Sequence, residues 1–105
     1  MRVLFDQGTP APLRHHLSAH EVVTAFEAGW SEISNGALLA HADDLFDLLV
    51  TTEKQLQYQQ NLTGRRIAIL ILPYASWPKL ERQAAKIASA VAAMKPGSYV
   101  ELHLD

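Results

Sequence analysis

The chain lacks several features that would assign it to a particular class of protein. It has no cysteine among its 105 residues, which excludes disulfides and thiolate metal sites. No run of 18 apolar residues occurs, so we expect no membrane partner. The apolar start is too short for a signal peptide and ends at Asp6, so a cytoplasmic protein is expected. With no polybasic stretch and a net charge of −2, strong non-specific nucleic-acid binding is not indicated.

The chain contains enough apolar residues to build one hydrophobic core. The apolar fraction is 49%, which argues against disorder. The length suits a single domain covering residues 1–105.

Short apolar runs alternate with segments of helical periodicity. The runs predict strands at residues 3–5, 21–24, 45–50, 67–72 and 99–102. Helices are predicted to begin after Thr9, Ser34 and Ser76, each a good N-cap residue, and the last should continue to Met94. Strands that alternate with helices, with nearly all-apolar central strands, indicate an α/β fold with a mainly parallel sheet.

Two acidic residues follow predicted strands. Asp6 comes directly after the first strand, and Glu53 comes shortly after the third. Because ligands bind outside the carboxyl ends of parallel strands, we expect the two carboxylates at one edge of the sheet, with the hydroxyl of Thr51 nearby. Such oxygen donors suit Mg²⁺ or Mn²⁺, and two close carboxylates would repel and raise a pKa. The alternative is that each acid only caps the helix that follows it.

An amide-rich segment, residues 55–61, follows Glu53. One interpretation is a wall of a binding cleft, in which an aromatic side chain stacks on a base, amides bond its edge and an arginine meets phosphate. The other is a solvated helix and turn. On the first interpretation the candidate substrate-binding residues are Thr52, Gln55, Tyr58, Asn61 and Arg65.

Four segments together resemble a known family. They are RVLFDQGTP, HEVVTAFEAGWSEISNGALL, DLLVTTEKQLQYQQN and RRIAILIL, and the resemblance extends in order over residues 2–102. The chain resembles the small bacterial PIN-like proteins of the DUF5615 or Mut7-C-like group. This resemblance implies a small three-layer α/β sandwich and a divalent-metal-dependent ribonuclease of the toxin–antitoxin type. Asp6 and Glu53 would then be the catalytic and metal-binding acids. RNA and a cognate antitoxin would be the expected partners, and a homodimer is a further candidate assembly.

The chain departs from the pattern of this group at the expected acidic cluster. Such relatives usually carry Asp where Glu53 stands, and an acid where Ala37 stands. Asn35 is the remaining candidate for a neutral third metal ligand, so we expect weak cation binding. The alternative function is a catalytically degenerate PIN-like module that binds or regulates. A receiver domain is disfavoured because Gln7 follows Asp6 and no lysine follows the fourth strand.

Overall fold

A computed structural model describes residues 1–104. Within that range the strands are β1 (Arg2–Phe5), β2 (Glu21–Thr24), β3 (Leu48–Thr51), β4 (Ala68–Ile71) and β5 (Tyr99–Glu101). The α-helices are α1 (Asn35–Ala42), α2 (Leu56–Gln59), α3 (Trp77–Arg82) and α4 (Ala84–Ala93), and a 3₁₀ helix covers Ala11–His16. None of these helices is long and apolar enough to cross a membrane.

The strands form one sheet in the order β2-β1-β3-β4-β5, and every neighbouring pair is parallel. In register, Leu4 lies beside Val23 on one side and Leu49 on the other. The order of addition reverses between β1 and β3, because the chain adds β2 on one side of β1 and then crosses to the other. The prediction of an α/β fold with a parallel sheet is confirmed.

Helices cover both faces of the sheet and complete a three-layer sandwich. Alternate strand residues such as Phe5 and Val50 point to the layer formed by the 3₁₀ helix, α3 and α4. Their neighbours, Leu4 and Leu49, point to the layer formed by α1 and α2. All four side chains are at most 2% exposed, so the central strands are apolar on both faces, as the uninterrupted apolar runs predicted.

One predicted N-cap is wrong, and a second has the predicted position but lacks a side-chain hydrogen bond. Thr9 does not cap the first helix; Pro10 occupies the cap position, and no side chain caps this end. Ser76 has the cap position of α3 but makes no capping hydrogen bond. Pro10 has no side-chain oxygen with which to cap the first helix. In α3, Pro78 at the second position removes one of the two N–H donors that the hydroxyl of Ser76 could engage. By contrast, Ser34 caps α1 as predicted, accepting from the backbone N of Ala37 at 3.2 Å.

Two other elements differ from prediction by more than one residue at a boundary. β3 begins at Leu48 rather than at residue 45, because the preceding residues close the end of α1 and Leu45 is 48% exposed. The long helix predicted after Ser76 is divided at Gln83, whose N–H bonds the carbonyl of Leu80, three residues back. Its apolar stripe survives the division, because Leu80 and Ile87 are both fully buried.

Candidate functional site

The two predicted acids lie at the carboxyl edge of the sheet, where the strand order reverses. Asp6 follows β1 directly, and Glu53 follows β3 by two residues. β1 and β3 are adjacent and parallel, and the backbone N of Asp6 donates to the carbonyl of Val50 at 3.2 Å. Crevices at this position are where ligands bind in open α/β sheets.

Both carboxylate oxygens of Asp6 accept hydrogen bonds from hydroxyl groups. Thr9 Oγ1 donates to Asp6 Oδ1 at 2.7 Å and also lies 2.9 Å from the carbonyl of Val50. Thr51 Oγ1 donates to Asp6 Oδ2. Thr9 and Thr51 are 5% and 2% exposed, so the carboxylate is fixed from its buried side. This is the role of Thr9 in place of the predicted helix cap.

The pKa of Asp6 is raised above its ordinary value of 3.8. Burial is the largest cause, since it disfavours the charged form, and the hydrogen bonds from Thr51 and Thr9 oppose it. The direction agrees with the expectation from sequence, but the leading cause is burial rather than repulsion by a second carboxylate.

Thr51 connects the two acids through a single hydroxyl group. Its Oγ1 donates to Asp6 and accepts from the backbone N of Glu53 at 3.1 Å. The carboxylate of Glu53 in turn accepts from the backbone N of Gln55 at 2.8 Å, at the start of α2. Glu53 therefore closes a local turn before α2 without capping that helix, which has no side-chain cap, and its side chain stays partly accessible at the edge.

Thr52 lies under the loop that follows Asp6. A Cβ added to Gly8 would come within 2.8 Å of Thr52 Oγ1 and 3.9 Å of Asp6 Oδ1. The absence of a side chain at Gly8 thus lets the loop approach both groups. Thr52 and Asp6 are brought together as candidate site residues.

The first turn of α1 is packed closely against the residue that ends α2. Asn35 is the first residue of α1, and a Cβ on the next residue, Gly36, would lie 2.7 Å from Gln60 Oε1. Since α1 begins after β2 and leads back to β3, this turn belongs to the carboxyl side of the sheet.

Tyr58 projects from α2 and is 77% exposed. Burial is the main cause that raises the pKa of Tyr99 in β5. The charges of Glu101, Tyr58 and Glu53 raise this pKa further, so all three lie within electrostatic range of Tyr99. The backbone of Gln57 opposes that shift, but it does not complete a hydrogen bond of ordinary geometry with the buried Tyr99 hydroxyl. Tyr58 therefore lies on the Glu53 side of the sheet.

The remaining predicted substrate-binding residues, Gln55, Asn61 and Arg65, are exposed or form local hydrogen bonds away from Asp6. Gln55 is exposed at the start of α2. Asn61 Oδ1 accepts from the backbone N of Thr63 at 3.0 Å, which stabilises a local turn. Arg65 precedes β4 and its Nε donates to the carbonyl of Asn61 at 3.2 Å. Because the amino ends of parallel strands lie opposite their carboxyl ends, the structure does not bring Arg65 to Asp6.

The oxygen ligands at this edge are of the type that a hard divalent cation binds, but there are few of them. Carboxylate oxygens of Asp6 and Glu53 and the amide oxygen of Asn35 are the ligands that Mg²⁺ and Mn²⁺ prefer. Over residues 1–104, however, no three His, Cys, Asp or Glu side chains are grouped so that they could hold a metal ion. A cation here would therefore take much of its coordination from water.

A cavity of about 590 Å³ opens at the opposite edge of the sheet. Its lining includes Arg2, Asp47, Arg66 and Lys95, around the amino ends of β1, β3 and β4. Charges of both signs are present, and Asp47 is engaged by the backbone N of Arg2 at 2.8 Å. The cavity is therefore separate from the carboxylates.

Sequence reasoning missed Gly8 at the carboxyl edge, and it missed Tyr99, the first residue of β5, which lies within electrostatic range of Glu53. Gly8 offered a weak signal, a glycine two residues after a strand-ending acid, whereas the proximity of Tyr99 to Glu53 arises only from tertiary packing. Comparisons with protein-family models, curated proteins and solved structures found no match to the chain.

Proposed function

We propose that the chain is a PIN-like domain that binds one Mg²⁺ or Mn²⁺ weakly at Asp6 and Glu53 and cleaves RNA with it. The observation that carries this proposal is the delivery of both acids by adjacent parallel strands to the point where the strand order reverses. The sequence resemblance to PIN-like proteins supplies the reaction, and a cognate antitoxin is the protein partner that it implies.

Each residue has a distinct role in this proposal. The cation would polarise a phosphate and lower the pKa of a bound water. Asp6 holds negative charge in a fixed orientation through the hydroxyls of Thr9 and Thr51. Glu53 supplies the second carboxylate. Tyr58, exposed on α2, offers an aromatic face on which an unpaired base can stack.

The test is cleavage of a generic RNA by wild-type protein in Mn²⁺ and in EDTA. We expect slow, Mn²⁺-dependent cleavage that falls at least about tenfold in Glu53→Gln, which keeps the bond from Gln55 N but removes the charge. Asp44→Asn is the matched control, because Asp44 is an exposed acid at the other edge of the sheet. Equal rates in Mn²⁺ and EDTA, or equal loss in both variants, would contradict the proposal.

A second candidate, a PIN-like module that binds without cleaving, is favoured by the hydrogen bonding of Asp6. Both of its oxygens already accept from hydroxyls, which is also how a carboxylate stabilises a loop. RNA binding measured by fluorescence anisotropy in EDTA separates the candidates. Binding without any Mn²⁺-dependent cleavage identifies the second.

Restoring an acid in the first turn of α1 should strengthen cation binding. Ala37 is half-buried in that turn, and its N–H is already engaged by the capping residue Ser34. We expect Ala37→Glu to increase Mn²⁺ affinity about tenfold in calorimetric titrations, because a third carboxylate deepens the negative potential at the site. The control is Ala40→Glu, at an exposed position of the same helix. If both variants bind Mn²⁺ as wild type does, position 37 does not face the cation.

A further inference from the structure

The two outer edges of the sheet differ in how their backbone groups are satisfied. On β2, Glu21 N and Ala25 N donate toward β1, so the alternating geometry turns Val22 and Thr24 outward. The outward backbone groups of Thr24 are not free to pair with another strand, because its N donates to Glu27 Oε1 at 2.9 Å and its carbonyl accepts from Ala28 N at 3.0 Å.

Glu27 is itself held in place over this edge. Arg14 donates to its carboxylate through both Nη atoms, and Glu27 N donates to Thr24 Oγ1 at 3.1 Å. The hydrogen bonds, with Arg14 contributing most, lower the pKa of Glu27 to about 2. A fixed charge and a turn that uses the outward groups are devices that protect edge strands from pairing.

Among residues 1–104, the β5 edge has no comparable turn or ion pair over its outward groups. Ile69 N donates to the carbonyl of Ser98, and Leu102 N donates to that of Ile71, so Ser98, Val100 and Leu102 face β4. The outward residues are then Tyr99 and Glu101. Within residues 1–104, no hydrogen bond engages their outward N–H and C=O groups.

Exposed apolar side chains flank this open edge on both faces of the sheet. Val100 is 38% exposed in the strand itself. Tyr58 is 77% exposed on α2, in the layer against which Tyr99 packs on the other face of the sheet. An unpaired strand edge between two apolar groups is a template for a further strand.

We infer that β5 pairs edge to edge with β5 of a second copy of the chain, in antiparallel orientation with Val100 facing Val100. In this register Tyr99 of one copy forms a hydrogen-bonded pair with Glu101 of the other, and both use their outward backbone groups. Val100 occupies a non-hydrogen-bonded pair, where side chains approach most closely and its exposed apolar surface is covered.

Charge selects this register, and its self-complementarity, with Val100 covering Val100, favours a second copy as the occupant. Shifting the two-fold axis by one residue to Glu101 would place two carboxylates directly opposite each other, which is destabilising. The Val100-centred register instead places each Glu101 carboxylate opposite the ring of Tyr99, whose hydroxyl is buried, and keeps the two carboxylates apart. The short strand limits the buried area, so we expect a dissociation constant of about 100 µM, at the weak end for specific interfaces.

The absence of cysteine makes the register directly testable, because Val100→Cys gives a single-cysteine protein. Residues facing each other in a non-hydrogen-bonded antiparallel pair have Cα atoms about 4.5 Å apart, within the range that a disulfide spans. We expect Val100→Cys to form a disulfide dimer under mild oxidation at least about tenfold faster than Glu21→Cys, an exposed control on the β2 edge whose backbone also faces its neighbouring strand.

Sedimentation equilibrium of the wild-type protein provides a measurement that does not depend on any variant. A monomer–dimer equilibrium that Val100→Lys shifts to monomer supports the inference. Wild-type protein that stays monomeric up to about 500 µM overturns it, as does equal cross-linking of Val100→Cys and Glu21→Cys. Neither readout uses RNA or a cation, so the outcome is separate from that of the proposed function.

Discussion

Thr51→Val should destabilise the folded protein by about 2 kcal/mol, although it exchanges one hydroxyl for a methyl group of similar size. The hydroxyl of Thr51 donates to Asp6 and accepts from Glu53 N, and the residue is 2% exposed. Valine cannot replace either bond, so a buried carboxylate loses a donor and a backbone N–H loses its acceptor. In a chain of this length the thermal midpoint should fall by roughly 10 °C.

Thr51→Ser should restore most of this stability, because it returns the hydroxyl while leaving out the methyl group. The matched control is Thr63→Val in an exposed turn, where the side chain is not needed for the bond between Thr63 N and Asn61. Urea melts of the three variants and wild type measure the difference. If Thr51→Val and Thr63→Val are equally stable, the hydroxyl of Thr51 does not position Asp6.

The central strands were predictable from sequence because their environment is simple. β4 is buried on both faces, so every residue in it is apolar and the run predicts a strand directly. The boundaries that were missed depend on contacts between distant residues. Asp47, included in the predicted third strand, precedes β3 because it engages Arg2 N at the amino edge.

The candidate site was predictable in part, for a topological reason. Parallel strands deliver Asp6 and Glu53 to the same edge whatever their exact lengths, so the pair could be predicted without coordinates. Arg65 was assigned to the cleft because it follows the amide-rich segment closely in sequence. Between α2 and β4, however, the chain crosses from one edge of the sheet to the other, and sequence distance does not reveal that crossing.

Asp6→Asn should stabilise the fold by about 1 kcal/mol at neutral pH while abolishing Mn²⁺-dependent RNA cleavage. The amide is neutral, so it avoids the burial of a charge that raises the pKa of Asp6. It also fits the existing contacts: its oxygen can accept from Thr51, and its NH₂ can donate to Thr9, whose hydroxyl then donates to Val50 O alone.

The pH dependence follows from the direction of the shift. A carboxyl whose pKa is raised in the folded state adds stability that is fully present below the unfolded value of 3.8. That stability is lost as pH rises through the folded pKa, when the buried group ionises. Wild type and Asp6→Asn should therefore be closest in stability at about pH 3 and differ fully at neutral pH.

Urea melts at both pH values, with and without Mn²⁺, distinguish a functional acid from a structural one. Asp44→Asn is the control, since an exposed acid 3.8 Å from Arg66 should change stability by less than about 0.5 kcal/mol. A carboxylate that only stabilises the loop predicts the opposite sign, because its hydrogen bonds to Thr9 and Thr51 weaken when the charge is removed. If Asp6→Asn unfolds at lower urea than wild type at neutral pH, and Mn²⁺ stabilises neither protein, Asp6 serves the fold alone and the nuclease proposal fails.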